Sequence, residues 1–357
     1  MKLPVALAAL LFLSTAPAQI PEPKPPVKAA IAVLPSDSVD SLSDADLARI
    51  LPLLKENYIG AEKITEKEIA RSTVQGLIDR LGGGTAILQA PASNAPAEPS
   101  PFRSELVDER TGYLRIGSLT PANLSELDTA LQNFSTKGVT AIVLDLRATP
   151  AGSEFEPAAE ICKRFCPKGK VLFTLKKATA KEERLFTSRD EPRYKGLIAV
   201  LVDSATSGAP EVIAAVLRTH TKAMLIGQRT RGQAAEFAEL PLPSGKLLRI
   251  AVGEIALPDN ATVFPGGVKP DLTVEIPIET TNAVLKAGLE KGIRELVSEP
   301  ERARLNEAAL VAGNNPEIEA YQAAQRARNE KTKPPLRDVA LQRALDFITT
   351  IGVYEKK

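Results

Sequence analysis

Three hydroxyl side chains, Ser204, Thr206 and Ser207, fall within four residues of one another, ahead of Glu211, His220 and Lys222. A serine hydroxyl becomes a nucleophile when a neighbouring base takes its proton, and a lysine or histidine can be that base. Ser207 is the candidate nucleophile of the run, with Ser204 and Thr206 as weaker ones, and His220 and Lys222 are the basic groups nearest in sequence. The same hydroxyls suit another role. Ser and Thr are favoured at helix N-caps, and Pro210 stands where a helix would begin. At this level both readings remain: side chains that cap a helix, or side chains that react.

The segment around them has an order of its own. Val200-Leu-Val-Asp203 reads as a strand, Ser204 to Glu211 as a turn, Val212 to Leu217 as a helix, and Ala223 to Gln233 as a strand leading into Gly227-Gln-Arg-Thr-Arg-Gly232. This resembles the C-terminal processing, or tail-specific, serine protease family. In that family a Ser/Ala-rich turn follows a strand, a Glu and a helix come next, and a second strand ends in Gly-x-x-Thr-x-Gly-Lys. The resemblance places the family's nucleophilic Ser on Gly208, its general-base Lys on Gln233 and its supporting acidic position on Thr219. Glycine has no side-chain hydroxyl and a Gln amide takes no proton at physiological pH. The resemblance therefore implies a degenerate member without its Ser/Lys dyad.

Further stretches extend the likeness. Gly112-Tyr-Leu-Arg-Ile-Gly-Ser-Leu119 resembles the family's first core strand, Ala141-Ile-Val-Leu-Asp-Leu-Arg147 its central strand, and Ala148-Thr-Pro-Ala-Gly-Ser153 the turn that follows. Phe264-Pro-Gly-Gly-Val-Lys-Pro-Asp271 resembles its closing segment. In the family a backbone N–H of that turn and one beside the nucleophile form an oxyanion hole. The corresponding donors here are Ala151, Gly152 and Ala209. Backbone donors survive changes of side chain, although a Pro/Gly turn explains the same residues on steric grounds.

Composition narrows the field. The chain has 357 residues, 44% hydrophobic and 25% charged, with 45 basic against 44 acidic side chains. That is a globular composition, and with 4% aromatics it offers no basic stripe or stacking platform for nucleic acid. One His and two Cys do not make a zinc constellation, so neither metal nor cofactor is expected. Cys162 and Cys166, four apart, read as small apolar residues on one helical face, with a disulfide permitted in an exported protein. Met1 to Gln19 has a charged start, an apolar run from Leu3 to Leu13 and an Ala16-Pro-Ala18 cleavage pattern, so export to a periplasmic or extracellular space is expected, with cleavage after Ala18.

The elements that must position the chemistry alternate. Strands are expected at Tyr113 to Ile116, Ala141 to Leu146, Val171 to Leu175, Leu197 to Val202, Ala223 to Ile226 and Leu247 to Val252. Helices are expected at Ser125 to Phe134, Pro157 to Phe165 and Pro210 to Thr219. The fold class is mixed α/β, a layered core with helical flanks. The expected organisation is a signal peptide (1–18), a linker (19–42), an N-terminal helical segment (43–88), an Ala/Pro/Ser linker with no room for a PDZ domain (89–102), the protease-like core (103–279) and a C-terminal helical segment (280–357). The function expected is peptide binding, scaffolding or regulation by a catalytically impaired protease-like domain, with a peptide or unfolded segment as partner and possible self-association through the helical flanks. The alternative is an active serine endopeptidase using Ser207 with an unidentified base.

Overall fold

The computed structural model describes residues 36–89, 99–177, 183–297 and 336–354. The expected leader, residues 1–18, and most of the first linker lie outside the described residues. The chain divides into two compact units, 1–72 and 73–357.

In the first unit α1 (Asp44–Asn57) starts at a reciprocal cap. The Asp46 amide donates to Ser43 Oγ at 3.2 Å and the Ser43 amide to Asp46 Oδ2 at 3.0 Å, so two otherwise orphaned donors are satisfied. Helix α2 (Glu66–Leu81) begins in this unit, and Lys55 reaches Glu66 at 2.6 Å.

The second unit holds two sheets. The larger contains β2 (Arg103–Leu106), β3 (Thr111–Arg115), β4 (Ala141–Asp145), β7 (Leu197–Val202), β8 (Met224–Gly227) and β11 (Leu272–Thr273). Its order is β11-β8-β7-β4-β3-β2, parallel except for the β2–β3 pair. Parallel strands are covered on both faces and so read as continuous apolar runs, which β4 and β7 do. Ile142 and Leu144 point into the layer with α3 (Pro121–Thr136), α4 (Phe155–Lys163) and α5 (Ala209–Thr221). Ala141 and Val143 point the other way, into a cluster with Leu341, Ala344 and Ile348 of α7 (Val339–Tyr354), the last helix of the described chain. Between them in sequence is α6 (Ile278–Lys291).

The smaller sheet is antiparallel: β1 (Thr85–Gln89), β5 (Val171–Lys177), β6 (Arg184–Thr187), β9 (Ala235–Pro241) and β10 (Lys246–Ala256). Phe173 and Phe186 stack across β5 and β6 with centroids 4.4 Å apart. Strands β1, β2, β6, β9 and β11 are absent from the sequence expectations. Their exposed or mixed residues give no apolar run, and their pairing comes from β10, β3, β5 and β8 rather than from their own pattern. The two cysteines are free and buried, Cys162 at the end of α4 and Cys166 just beyond it.

Candidate functional site

The parallel sheet directs β4 and β7 so that both end on the same side, with Asp145 beside Leu201. Beyond these ends lie two turns: Ala148 to Ser153 after β4, and Ser204 to Gly208 after β7. In open α/β sheets this carboxyl edge is where ligands are bound. The β7 turn enters α5 at Gly208, whose φ of 73° and ψ of −123° lie where L side chains are strained. Such a sharp strand-to-helix turn is the form that exposes a nucleophile in many hydrolases. Here the residue at its apex is glycine.

The two turns close on each other. Gly152 and Gly208 face one another across a parallel bridge, and the Ala209 amide donates to the Gly152 carbonyl at 2.7 Å. A Cβ built on Gly208 would stand 2.3 Å from that carbonyl oxygen. The expectation that Ala209 offers an open amide therefore meets a different geometry. An oxyanion needs a donor aimed at empty space, whereas this donor already has a carbonyl against it.

Glu211, fully buried on the first turn of α5, organises the rest. Its Oε2 accepts from the Gly208 and Gln233 amides, each at 2.7 Å. Its Oε1 accepts from the Gly232 amide at 2.6 Å and from the Thr230 hydroxyl. Thr230 Oγ1 in turn accepts from the Val268 amide at 2.8 Å, so one carboxylate ties the β7 turn to the loop after β8 and the closing segment. The positions the resemblance gives to nucleophile and base, Gly208 and Gln233, are thereby brought together. The Gln233 side chain turns outward and donates to the Gly83 carbonyl at 3.3 Å.

The hydroxyls do other work than the sequence suggests. Thr206 accepts from the Asp203 amide at 3.0 Å and donates to Asp203 Oδ1 at 2.8 Å, locking the turn locally. Burial raises the Asp203 carboxyl above its ordinary value, opposed by the Thr206 bonds. The α5 N-cap is Gly208, with the Glu211 carboxylate accepting from its amide, so Ser204, Thr206 and Ser207 are not the caps. Ser207 is buried, and among the described residues no Lys or His hydrogen-bonds to it. His220 and Lys222 sit at the other end of α5, about 18 Å and about 21 Å along the axis from Gly208 at 1.5 Å per residue. Thr219 is there too, its hydroxyl donating to the Ala215 carbonyl at 2.9 Å.

Below the β4 turn is a buried network that sequence reasoning missed. Arg147 forks onto Asp145, Nε to Oδ1 at 2.9 Å and Nη2 to Oδ2 at 2.7 Å, and onto Asp338, Nη1 to Oδ1 at 3.0 Å and Nη2 to Oδ2 at 2.7 Å. The Tyr113 hydroxyl donates to Asp145 Oδ2 at 2.7 Å. All three charged side chains are almost fully buried. Burial alone would push the Asp145 carboxyl up, but the Arg147 charge and hydrogen bonds outweigh it and hold it below the ordinary value. Burial and then Asp145 raise the Tyr113 phenol well above its ordinary value. Asp338 also accepts from the Leu341 amide at 3.0 Å, so the residue that caps α7 fixes the root of the 148–153 turn. The Arg in an Asp-x-Arg strand end was the available signal; its second carboxylate, 191 residues away, was not.

Comparison with known proteins gives this chain relatives. Residues 110–274 match the family model "Peptidase family S41". The chain is 26% identical over 183 residues to the carboxyl-terminal-processing protease of Synechocystis sp., covering 50% of this chain and 42% of that protein. It is 26% identical over 200 residues to the carboxy-terminal processing protease CtpA of Bacillus subtilis, covering 56% of this chain and 42% of that protein. The chain thus spans well under two thirds of the length of these curated relatives. Among solved structures, the photosystem II D1 C-terminal processing protease aligns with a TM-score of 0.45 at 21% identity, over 59% of each chain. Among the described residues no helix is long and apolar enough to cross a membrane.

Proposed function

Given that residues 110–274 of this chain are a peptidase family S41 domain of the C-terminal processing protease type, we propose that it binds extended peptide without cutting it. The observation that carries this reading is Gly208. The apex of the turn lacks a side-chain hydroxyl, and the space a side chain would take there is filled by the Gly152 carbonyl. Hydrolysis of a peptide bond by this route needs a nucleophile, a base and an open donor pair. The first two seats hold Gly208 and Gln233, and the Ala209 donor is engaged. Peptide capture needs none of these, because strand addition uses main-chain groups of a sheet edge. The reading includes export, supported by the leader-like pattern of Met1 to Gln19, and a scaffolding or regulatory role among exported proteins.

The test is incubation of the purified chain with a library of unstructured peptides, alongside Ser207→Ala and a fluorophosphonate label. Capture without cleavage, unchanged by Ser207→Ala, and no labelling are expected. Cleavage that disappears in Ser207→Ala, or a label attached to Ser207, would overturn the reading in favour of an active serine peptidase.

A further inference from the structure

At the end of α5 remote from Gly208, a cleft of about 460 Å³ opens between the segment after α4, the loop ahead of β7 and the last turn of α5. Phe165 and Tyr194 line it, their rings meeting edge to face with centroids 6.5 Å apart, so part of its wall is apolar and rigid. His220, the chain's single histidine, lines it as well. Its Nε2 is closed off from solvent and meets no partner at full hydrogen-bond geometry, while the backbone of Val171 and Leu172 lies beside the ring.

The charges around that ring are unbalanced. Lys168 and Lys195 line the cleft, and Lys170 acts on the imidazole from the start of β5. The carboxylate in the lining, Glu191, is taken up by Lys195 at 3.2 Å. Nearby Arg193 pairs with Asp128 at 3.3 Å, and Arg218, on α5 itself, with Asp271 at 3.7 Å. Among the described residues Lys168 has no carboxylate partner. A chain with a net charge of +1 thus gathers unpaired positive charge at one concave, partly aromatic place. Burial lowers the His220 pKa and Lys170 lowers it further, while hydrogen bonding to the backbone at Val171 and Leu172 pulls it back up.

We propose that this cleft binds a small carboxylate with an apolar body, Phe165 and Tyr194 holding the body while His220 and Lys168 meet the charge. A carboxylate has lone pairs for both an ammonium and an imidazole N–H, and bonds between ionised partners are about twice as strong as neutral ones. Binding would favour the protonated imidazole, because an opposite charge beside it offsets the cost of burying its own. Affinity therefore rises as the pH falls through the His220 pKa of the free protein. The site lies on the opposite end of α5 from Gly208 and stands or falls apart from the peptide-binding reading.

The single histidine makes the test direct. The full chain is titrated with N-acetylphenylalanine while the His220 ring signals are followed by NMR across pH, with the uncharged N-acetylphenylalaninamide as control. A saturable shift with a raised His220 pKa is expected from the carboxylate, and at least a tenfold weaker response from the amide. Lys168→Ala, at an exposed position, should keep the parent's unfolding transition and weaken the carboxylate about two- to fivefold, the worth of an exposed charge contact. Equal responses to acid and amide, or no response to either at millimolar excess, would overturn the proposal.

Discussion

Gly208 and Gln233 donate their backbone amides to one and the same oxygen, Oε2 of Glu211, at 2.7 Å each. Their neighbourhood therefore does not depend on any side chain at either position. The carboxylate holds together the two positions that the resemblance gives to nucleophile and base.

A hydroxyl introduced at Gly208 should cost stability without conferring hydrolysis. Gly208→Ser introduces a Cβ at a φ of 73° and 2.3 Å from the Gly152 carbonyl. Backbone strain of this kind is worth about 1–3 kcal/mol, and the clash adds to it. Urea denaturation should show that loss, and Gly208→Ala should show a similar one, since the backbone and not the hydroxyl is at fault. Neither Gly208→Ser nor the double change with Gln233→Lys should take up a fluorophosphonate.

Glu211→Gln should be among the more damaging single-atom changes in the chain. Four donors converge on the carboxylate, and an amide NH₂ would set a donor against at least one of them. Leaving a buried donor unsatisfied costs about 1–3 kcal/mol. A fall of that size in the free energy of unfolding, with faster amide exchange at Gly208 and Gln233, is the expected outcome. A variant as stable as the parent would show that the cradle can rearrange.

The Arg147 network predicts both a mutational and a pH effect. Asp338→Ala leaves a buried guanidinium with half its partners, a change of the class that costs about 3–5 kcal/mol. The Asp145 carboxyl titrates lower in the folded chain than in the unfolded one. Its contribution is therefore present above the unfolded carboxyl value near 3.8 and is lost as the pH falls through the lower folded value. Asp203 acts in the opposite sense: its folded value is raised, so it disfavours folding at neutral pH and that penalty fades as the pH falls. Unfolding free energies measured down through the acid range, for the parent and for Asp203→Asn, separate the two; the acid loss should steepen in the variant.

Cys162 and Cys166 should resist thiol reagents while the chain is folded. Burial pushes both thiols up, Cys166 to about 12, and the reactive species is the thiolate. Two thiols should titrate in denaturant and none promptly in native buffer at pH 8. Prompt native labelling would mean that the α4 end opens readily.

The parts of the fold legible in the sequence are those whose signal is local. Strands β4 and β7 are unbroken apolar runs because both faces of their sheet are covered, and α5 announces itself by Pro210, Glu211 and the run from Val212 to Leu217. Edge strands such as β2, with Arg103, Ser104 and Glu105, have no such run and become strands only by pairing with β3. The site was half legible. The pattern around Glu211 pointed to the right turn, but that Thr206 would staple Asp203 and leave the cap to Gly208 depends on turn geometry. The meeting of Gly152 with Ala209 depends on how β4 and β7 are registered, and that of Arg147 with Asp338 on the docking of α7. No neighbour in sequence reports either.

The cross-strand row Glu236, Gly253 and Lys177 carries a last implication. Gly253 pairs with both outer residues, and because it has no side chain, Glu236 and Lys177 reach over it to within 2.7 Å. A bare backbone in the middle of three strands thus lets opposite charges clasp across two strand spacings, pinning β5 and β9 to β10 at the bulge near Val252. A Cβ at 253 would stand 3.1 Å from Leu175 Cδ1 and 3.3 Å from Lys177 Cγ, so a side chain there would crowd the lysine stem that forms the clasp, and the smaller sheet's alignment beside the Gln233 loop is guarded by the least substantial member of the row.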